Sequence, residues 1–293
     1  MHNFFLAVGF GLGTSAIIAI SAVALSLQYS VTSVPNFAHG EVMMVGAYGA
    51  WEVSRFSSNI PLQVAVAITL GAAVSWAMNR FILQPFLHRK AKNLVLFVLT
   101  IAISLILQNL VLLVVGGQSR AMTISSGGLH HIGPFNFTTM GELSILLAVL
   151  VLLAVHIVLK YTFFGKAQRA VADHRELARV SGINAARIVG YTWLFAGAIT
   201  GLSGYVLAVT IGSITPTTGN SYLLVIFAAA VVGGIGQAYG AMIGALVIGM
   251  TMEISALYLP SDYKTLIAFA LLVIMLIVRP GGIITTRLRN VAD

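Results

Sequence analysis

The sequence predicts an all-α, polytopic transmembrane helical bundle of about eight or nine spans with two related halves, and three observations carry that prediction. Hydrophobic residues make up 58% of the 293-residue chain and charged residues 8%. A soluble domain is about 45–50% apolar and about 25% charged. Mean hydropathy is +0.97. The apolar runs are continuous rather than alternating. That excludes a transmembrane β-barrel, and backbone hydrogen bonding in lipid then requires helices. Cysteine is absent, so the chain has neither a disulfide framework nor a thiolate metal site.

Apolar segments fall at 4–34, 42–54, 61–79, 94–115, 142–159, 188–211, 221–236, 239–258 and 264–278. The first begins behind Met1-His2-Asn3-Phe4-Phe5. It lacks the basic stretch of a signal peptide and is too long for one, so it reads as an uncleaved span. The second and seventh are too short to cross about 30 Å of hydrocarbon alone, which predicts broken or re-entrant helices. Pro35, Pro61, Pro85, Pro134, Pro260 and Pro280 lie at or near segment ends, and Pro216 lies in a loop. That placement supports the boundaries, because an interior proline breaks a helix.

The net charge of +8 is clustered in loops, which argues against a nucleic-acid surface. Thirteen of the 16 basic residues occupy three regions: four in 80–92, six in 160–187 and three in 279–289. Counting crossings puts the three regions on one side, and by the positive-inside rule that side is the cytoplasm. The loop 116–141, with Gly127, Gly128, His130 and His131, is then outside. Three crossings before Arg80 put the N-terminus outside as well.

Two polar interruptions of the apolar pattern stand out. Asn36-Phe37-Ala38-His39-Gly40-Glu41 follows Pro35 and leads into the second segment. Its Asn, His and Glu either line a cavity or cap the next helix. The run from Ala228 through Gly233-Gly234-Ile235-Gly236 to Gly240 is not a nucleotide loop, because no Gly-Lys-Ser/Thr follows. Gly236, Gly240 and Gly244 share one helix face and permit close helix contact. The glycine pair also fits a broken helix facing a cavity. Ala47-Tyr48-Gly49-Ala50 recurs as Ala238-Tyr239-Gly240-Ala241, an echo that hints at the two halves. Glu52, Glu142, Asp262 and Lys264 fall at outer ends and are expected to be solvated, whereas Glu253 and His156 are expected in satisfied packing roles. The chain shows no convincing catalytic set or metal-ligand spacing, so no enzyme chemistry is expected in it.

The segment 162–184 differs from everything around it. It carries Lys166, Arg169, Asp173, Arg175, Glu176 and Arg179, and each charge would cost about 3 kcal/mol or more at a bilayer centre. It therefore lies in water between two spans. A helical pattern runs over 167–180 after Gly165, and Gly182 stands where a left-handed residue would end it. The segment reads as a surface helix, held either by headgroups or by another protein.

Glu176-Leu177-Ala178-Arg179-Val180-Ser181-Gly182 resembles the EAA-xxx-G coupling motif of ABC importer permeases, with Leu177 in place of the first Ala. The wider 164–184 block, the 36–41 block, the 227–240 block and Arg279-Pro280-Gly282 together resemble the branched-chain amino-acid permease family over essentially the full chain. The resemblance implies one permease domain, 1–293, with a cytoplasmic coupling loop at 160–187. It assigns Gly165, Arg169, Asp173, Arg175, Glu176, Ala178 and Gly182 to ATPase coupling. Asn36, Phe37, His39, Glu41, Gly233, Gly234 and Gly236 are assigned to the translocation pathway, on a shared central cavity. The implied partners are two ABC ATPase subunits that carry the ATP, a second permease forming a homo- or heterodimer, an extracytoplasmic binding protein and the lipid bilayer of a bacterial-type inner membrane. No cofactor and no metal are expected in this chain. Hydrophobic amino acids are the preferred cargo. Urea or short amides are the alternative within the family, and a self-contained secondary transporter or channel is the alternative outside it.

Overall fold

A computed structural model describes residues 2–89, 91–122, 128–132 and 135–284. Lys90, Gly127, Pro134, Arg287 and Arg289 lie outside the described residues. The chain folds as helices α1 (His2–Thr32), α2 (His39–Ser54), α3 (Ile60–Ala77), α4 (Gln84–His88), α5 (Asn93–Val115) and α6 (Thr139–Tyr161). Two short helices follow, α7 (Phe163–Asp173) and α8 (Arg175–Val180). The last four are α9 (Ala185–Ile211), α10 (Thr218–Gly233), α11 (Ala238–Ser255) and α12 (Lys264–Val278). Among the described residues, seven helices are long and apolar enough to cross a membrane. The chain is thus an all-α, multi-pass membrane protein. All nine apolar segments coincide with helices. The second and seventh are α2 and α10, of 16 residues each, about 24 Å at 1.5 Å per residue.

The helix packing is reciprocal. α1, α2 and α3 have 31, 16 and 18 residues, and α9, α10 and α11 have 27, 16 and 18. α1 lies along α11 as α3 lies along α9, and α2 packs on α3 as α10 packs on α11. α1 and α9 run antiparallel through the centre, with most of their length buried. Gly40 and Gly219, each the second residue of its helix, touch one another. A contact between equivalent residues is where the axis of an inverted repeat passes. The two halves are real, but the Ala-Tyr-Gly-Ala echo does not mark them: it equates α2 with α11, whereas the packing equates α2 with α10.

Small residues set the closest approaches. A Cβ on Gly201 of α9 would collide with the Ala67 carbonyl of α3, and Gly46 of α2 and Gly71 of α3 abut the same residue. Close backbone approach is how helices gain dispersion energy where lipid offers no hydrophobic drive. α5, α6 and α12 form the periphery and expose Leu94, Leu113, Leu150 and Ile277.

Several boundaries differ from the sequence reading. The third span continues past residue 79 through a π-helical stretch, Met78–Leu83, into α4, so Arg80 is helical. A wide π turn ahead of Pro85 accommodates its missing N–H. The loop 116–141 contains strands: β1 (Arg120–Ala121) pairs with β4 (Ser213–Ile214), and β2 (Leu129–Ile132) pairs with β3 (Phe135–Thr138). Lys264 is not simply solvated. It donates to Glu253 at 2.7 Å across α11 and α12, and Glu253 also accepts from Thr14 of α1 at 3.0 Å.

Candidate functional site

Four regions carry the chemistry, and the α7–α8 surface is the first. Thr162 ends α6 and caps α7, its Oγ1 accepting from the Gly165 N–H at 3.1 Å. Gly165 sits against the Val158 and Leu159 backbone, so α7 turns tightly away from α6. Gly165, Ala167, Gln168 and Val171 face inward, and Gln168 Nε2 donates to Ser30 Oγ of α1 at 2.8 Å. Lys166, Arg169 and Asp173 face outward. The predicted single helix is two, because His174 adopts an extended conformation (φ −150°, ψ 94°). α8 ends in a Schellman turn: Ile183 N–H bonds to Ala178 and Gly182 N–H to Arg179, with Gly182 at φ +84°.

The outward face of α8 combines charge with bare apolar side chains. Glu176 and Arg179 pair at 3.1 Å on the surface, while Ala178 is buried beneath them. Leu177 is 62% exposed and Val180 88% exposed. Half-buried Arg175 has an Nε without a hydrogen-bond partner, and burial holds its guanidinium below the ordinary arginine range.

The 36–41 block is interior. Asn36 Nδ2 donates to Gln28 Oε1 (2.9 Å), Gln28 Nε2 to Ser75 Oγ (3.1 Å), and Ser75 Oγ to the Trp193 carbonyl (2.8 Å). This relay ties α1, α3 and α9 together. Asn36 Oδ1 also accepts from the Ala38 N–H at 3.1 Å. His39 Nε2 meets Ser21 Oγ at 2.9 Å, and its Nδ1 lies 3.5 Å from Thr200 Oγ1. Phe37 stacks on Phe227 of α10 and meets Phe97 of α5 edge-on, both at 5.0 Å. Glu41 is buried, with Oε2 unpartnered.

The glycine block forms the turn between α10 and α11. Gly233 touches the Gly240 backbone, Gly234 (φ +112°) lies against Ile284, and Gly236 (φ +88°) lies against Tyr29 and Ser30 of α1. Phe37 and Phe227 join the two blocks, and Ser30 joins the glycine turn to Gln168 of α7.

The fourth region lies at the opposite end of the bundle, where a cavity of about 530 Å³ opens between α2 and α5. Neither the 36–41 block nor the 233–236 glycines line it. Val45, Tyr48, Trp51, Glu52, Val111 and Arg120 are among the residues that do. Arg55 and Arg120 lie over the Trp51 ring at 5.3 and 5.2 Å. Arg120 Nη2 caps α5 by donating to the Val115 carbonyl at 2.7 Å, and the β1–β4 pairing holds its backbone. The sequence reading missed Tyr48, Trp51 and Arg120. One signal was available: Arg55, Arg120 and Lys264 are the three basic residues outside the clusters, and two of them line this cavity.

A multi-pass bundle with an inverted repeat, two short helices and an exposed charged helical pair is an architecture suited to a membrane transport permease, and comparison with known proteins supplies that function. Residues 7–276 match the family described as branched-chain amino acid transport system, permease component, and the chain belongs to that family. It is 32% identical over 280 residues to the high-affinity branched-chain amino acid transport system permease protein LivH of Escherichia coli K12, covering 91% of this chain and 90% of the relative. It is 29% identical over 288 residues to the corresponding permease protein BraD of Pseudomonas aeruginosa, covering 94% and 93%. The ribose import permease protein RbsC of Escherichia coli K12 is 25% identical over 268 residues, covering 88% and 80%. No solved structure matches the chain.

Proposed function

We propose that this chain is the transmembrane subunit of a binding-protein-dependent ABC importer for branched-chain or other hydrophobic amino acids. The observation that carries the coupling is the α8 surface. A segment folded in water exposes Leu177 and Val180 beside Arg175, Glu176 and Arg179, a mixture that a protein groove satisfies better than solvent does. The preferred cargo follows from the permeases named for branched-chain amino acids, which match more closely than the ribose permease.

In this reading two cytoplasmic ATPases bind and hydrolyse ATP, and one of them grips α7 and α8 through Arg169, Asp173, Arg175 and Glu176. Gly165, Ala178 and Gly182 shape that surface. The basic loops face the cytoplasm, and the protein sits in a bacterial inner membrane. A second permease covers part of the apolar periphery, and an extracytoplasmic binding protein delivers cargo to the opposite end. Movement of α7 reaches the glycine turn at Gly233, Gly234 and Gly236 through Ser30, and reaches Asn36, Phe37, His39 and Glu41 through the Phe37–Phe227 stack. These residues act as the moving wall of the pathway. A useful coupling requires that the contact differ between the two ATPase states.

Co-purification and transport test the proposal together. The ATPase should be retained by the parent chain and lost when Glu176 is reversed to Lys, with amino-acid uptake in proteoliposomes requiring ATP. Uptake by this chain alone, without an ATPase, would instead establish a self-contained carrier. ATP-driven uptake of urea or a short amide in place of an amino acid would establish the other cargo.

A further inference from the structure

None of the residues assigned to coupling lines the cavity between α2 and α5, and its lining is chemically specific. Its volume of about 530 Å³ falls within the range of roughly 300–1,000 Å³ found for small-molecule sites. One wall is aliphatic, with Val45 from α2 and Leu107, Val111 and Val114 from α5. The other carries Tyr48, Trp51, Glu52, Arg55 and Arg120.

Of the three charged residues that line the cavity, Arg120 and Glu52 can turn to a ligand. Arg120 bonds to one backbone carbonyl and has no acidic partner among the described residues. Its Nε and the hydroxyl of buried Tyr48 lack hydrogen-bond partners, a condition that a bound polar group relieves. Glu52 pairs with Arg55, three residues along, through both carboxylate oxygens at 2.9 Å, and both side chains are about half exposed. Solvent screens a pair so exposed, so a ligand ammonium can compete for the carboxylate. Most of the described basic residues lie at the other end of the bundle, so Arg120 stands against that charge bias, pinned by β1–β4 beside an aromatic ring.

We infer that this cavity recognises an aliphatic α-amino acid as its zwitterion, with Arg120 taking the carboxylate, Glu52 the ammonium, and Val45, Val111 and Val114 the branched side chain. Guanidinium matches carboxylate in geometry as well as charge. Urea and short amides would use neither charge, and a sugar would gain nothing from the aliphatic wall. The inference rests on the permease reading and adds a cargo site within the membrane subunit itself.

The test uses the full chain in nanodiscs with Val114→Cys as its sole cysteine, and reads the rate of labelling by a water-soluble thiol reagent. L-leucine should slow labelling at least about threefold. Leucinamide, which lacks the carboxylate, and isocaproate, which lacks the ammonium, should slow it less than about 1.5-fold. Arg120→Gln should abolish the difference between leucine and leucinamide, and Arg120→Lys should retain part of it. Leucine that gives no protection, or protects no better than leucinamide, overturns the inference. Uptake by the complete importer in proteoliposomes separates the two levels. Leucine uptake without leucine protection discards this site and leaves the permease reading standing, whereas absence of both overturns both.

Discussion

Replacing Leu177 and Val180 together by Ser removes the two apolar side chains that α8 holds out to water, and should release the ATPase without unfolding the permease. Their exposures are 62% and 88%. Fully burying a Leu or Val side chain is worth about 1.5–3 kcal/mol. Scaled by those exposures, docking gains about 1–2 kcal/mol from Leu177 and about 1.3–2.6 kcal/mol from Val180. The sum, about 2.3–4.5 kcal/mol, corresponds to an ATPase affinity weaker by roughly 40- to 2,000-fold. Purified ATPase titrated onto nanodisc-embedded permease, read by biolayer interferometry, measures the change. The thermal midpoint of the permease should stay within about 2 °C of the parent, because surface changes of this kind move stability by about 0.5 kcal/mol or less. An ATPase Kd within about threefold of the parent's would refute the docking assignment.

Three further predictions address the bundle. Gly201→Leu, at the crossing of α2, α3 and α9, should sharply lower the thermal midpoint, whereas Gly182→Ala, whose Cβ would meet nothing within 4 Å, should cost only about 1–2 kcal/mol of left-handed strain; the opposite ranking would contradict the packing described. Lys264→Met should destabilise by about 1–3 kcal/mol, below the full buried-pair value because the pair is partly exposed, and adding Glu253→Gln should recover most of that loss in a double-mutant cycle. Single cysteines at Phe37 and at Gly236 should react with aqueous thiol reagents at rates that change when the ATPase turns over; rates indifferent to nucleotide would remove both from the moving wall.

The sequence was most legible where composition and length act alone. Nine apolar runs gave nine helices, and the two runs too short to cross became α2 and α10. Gly182 was readable because a left-handed residue after a helical pattern has few other uses. His174 was not, since nothing in its side chain demands the extended conformation that splits α7 from α8. The third span looked finished at residue 79 because the next residue is Arg80, yet the backbone continues helically beneath that charge. The two halves were anticipated, but which helices correspond was hidden for a different reason. The halves share lengths and packing order rather than residues, and the one shared tetrapeptide pairs the wrong helices. Glu52 was visible only as an end-of-span charge. Its cavity required Arg120, 68 positions further on in the numbering, brought there by a strand pairing that two residues of sequence cannot announce.

α9 begins at Ala185, just beyond α8, and ends at Ile211, immediately before β4. Because β4 is hydrogen-bonded to β1, the far end of this one rod is tied to Arg120. Its 27 residues make a lever about 40 Å long, and a tilt of about 5° imposed at the α8 end would carry the other end about 3.5 Å. That stroke is comparable to the length of a hydrogen bond. If the α8 surface docks an ATPase and Arg120 holds cargo, as proposed, this one rod would link the two, and grip and release at Arg120 would be timed by nucleotide without any ligand passing between them.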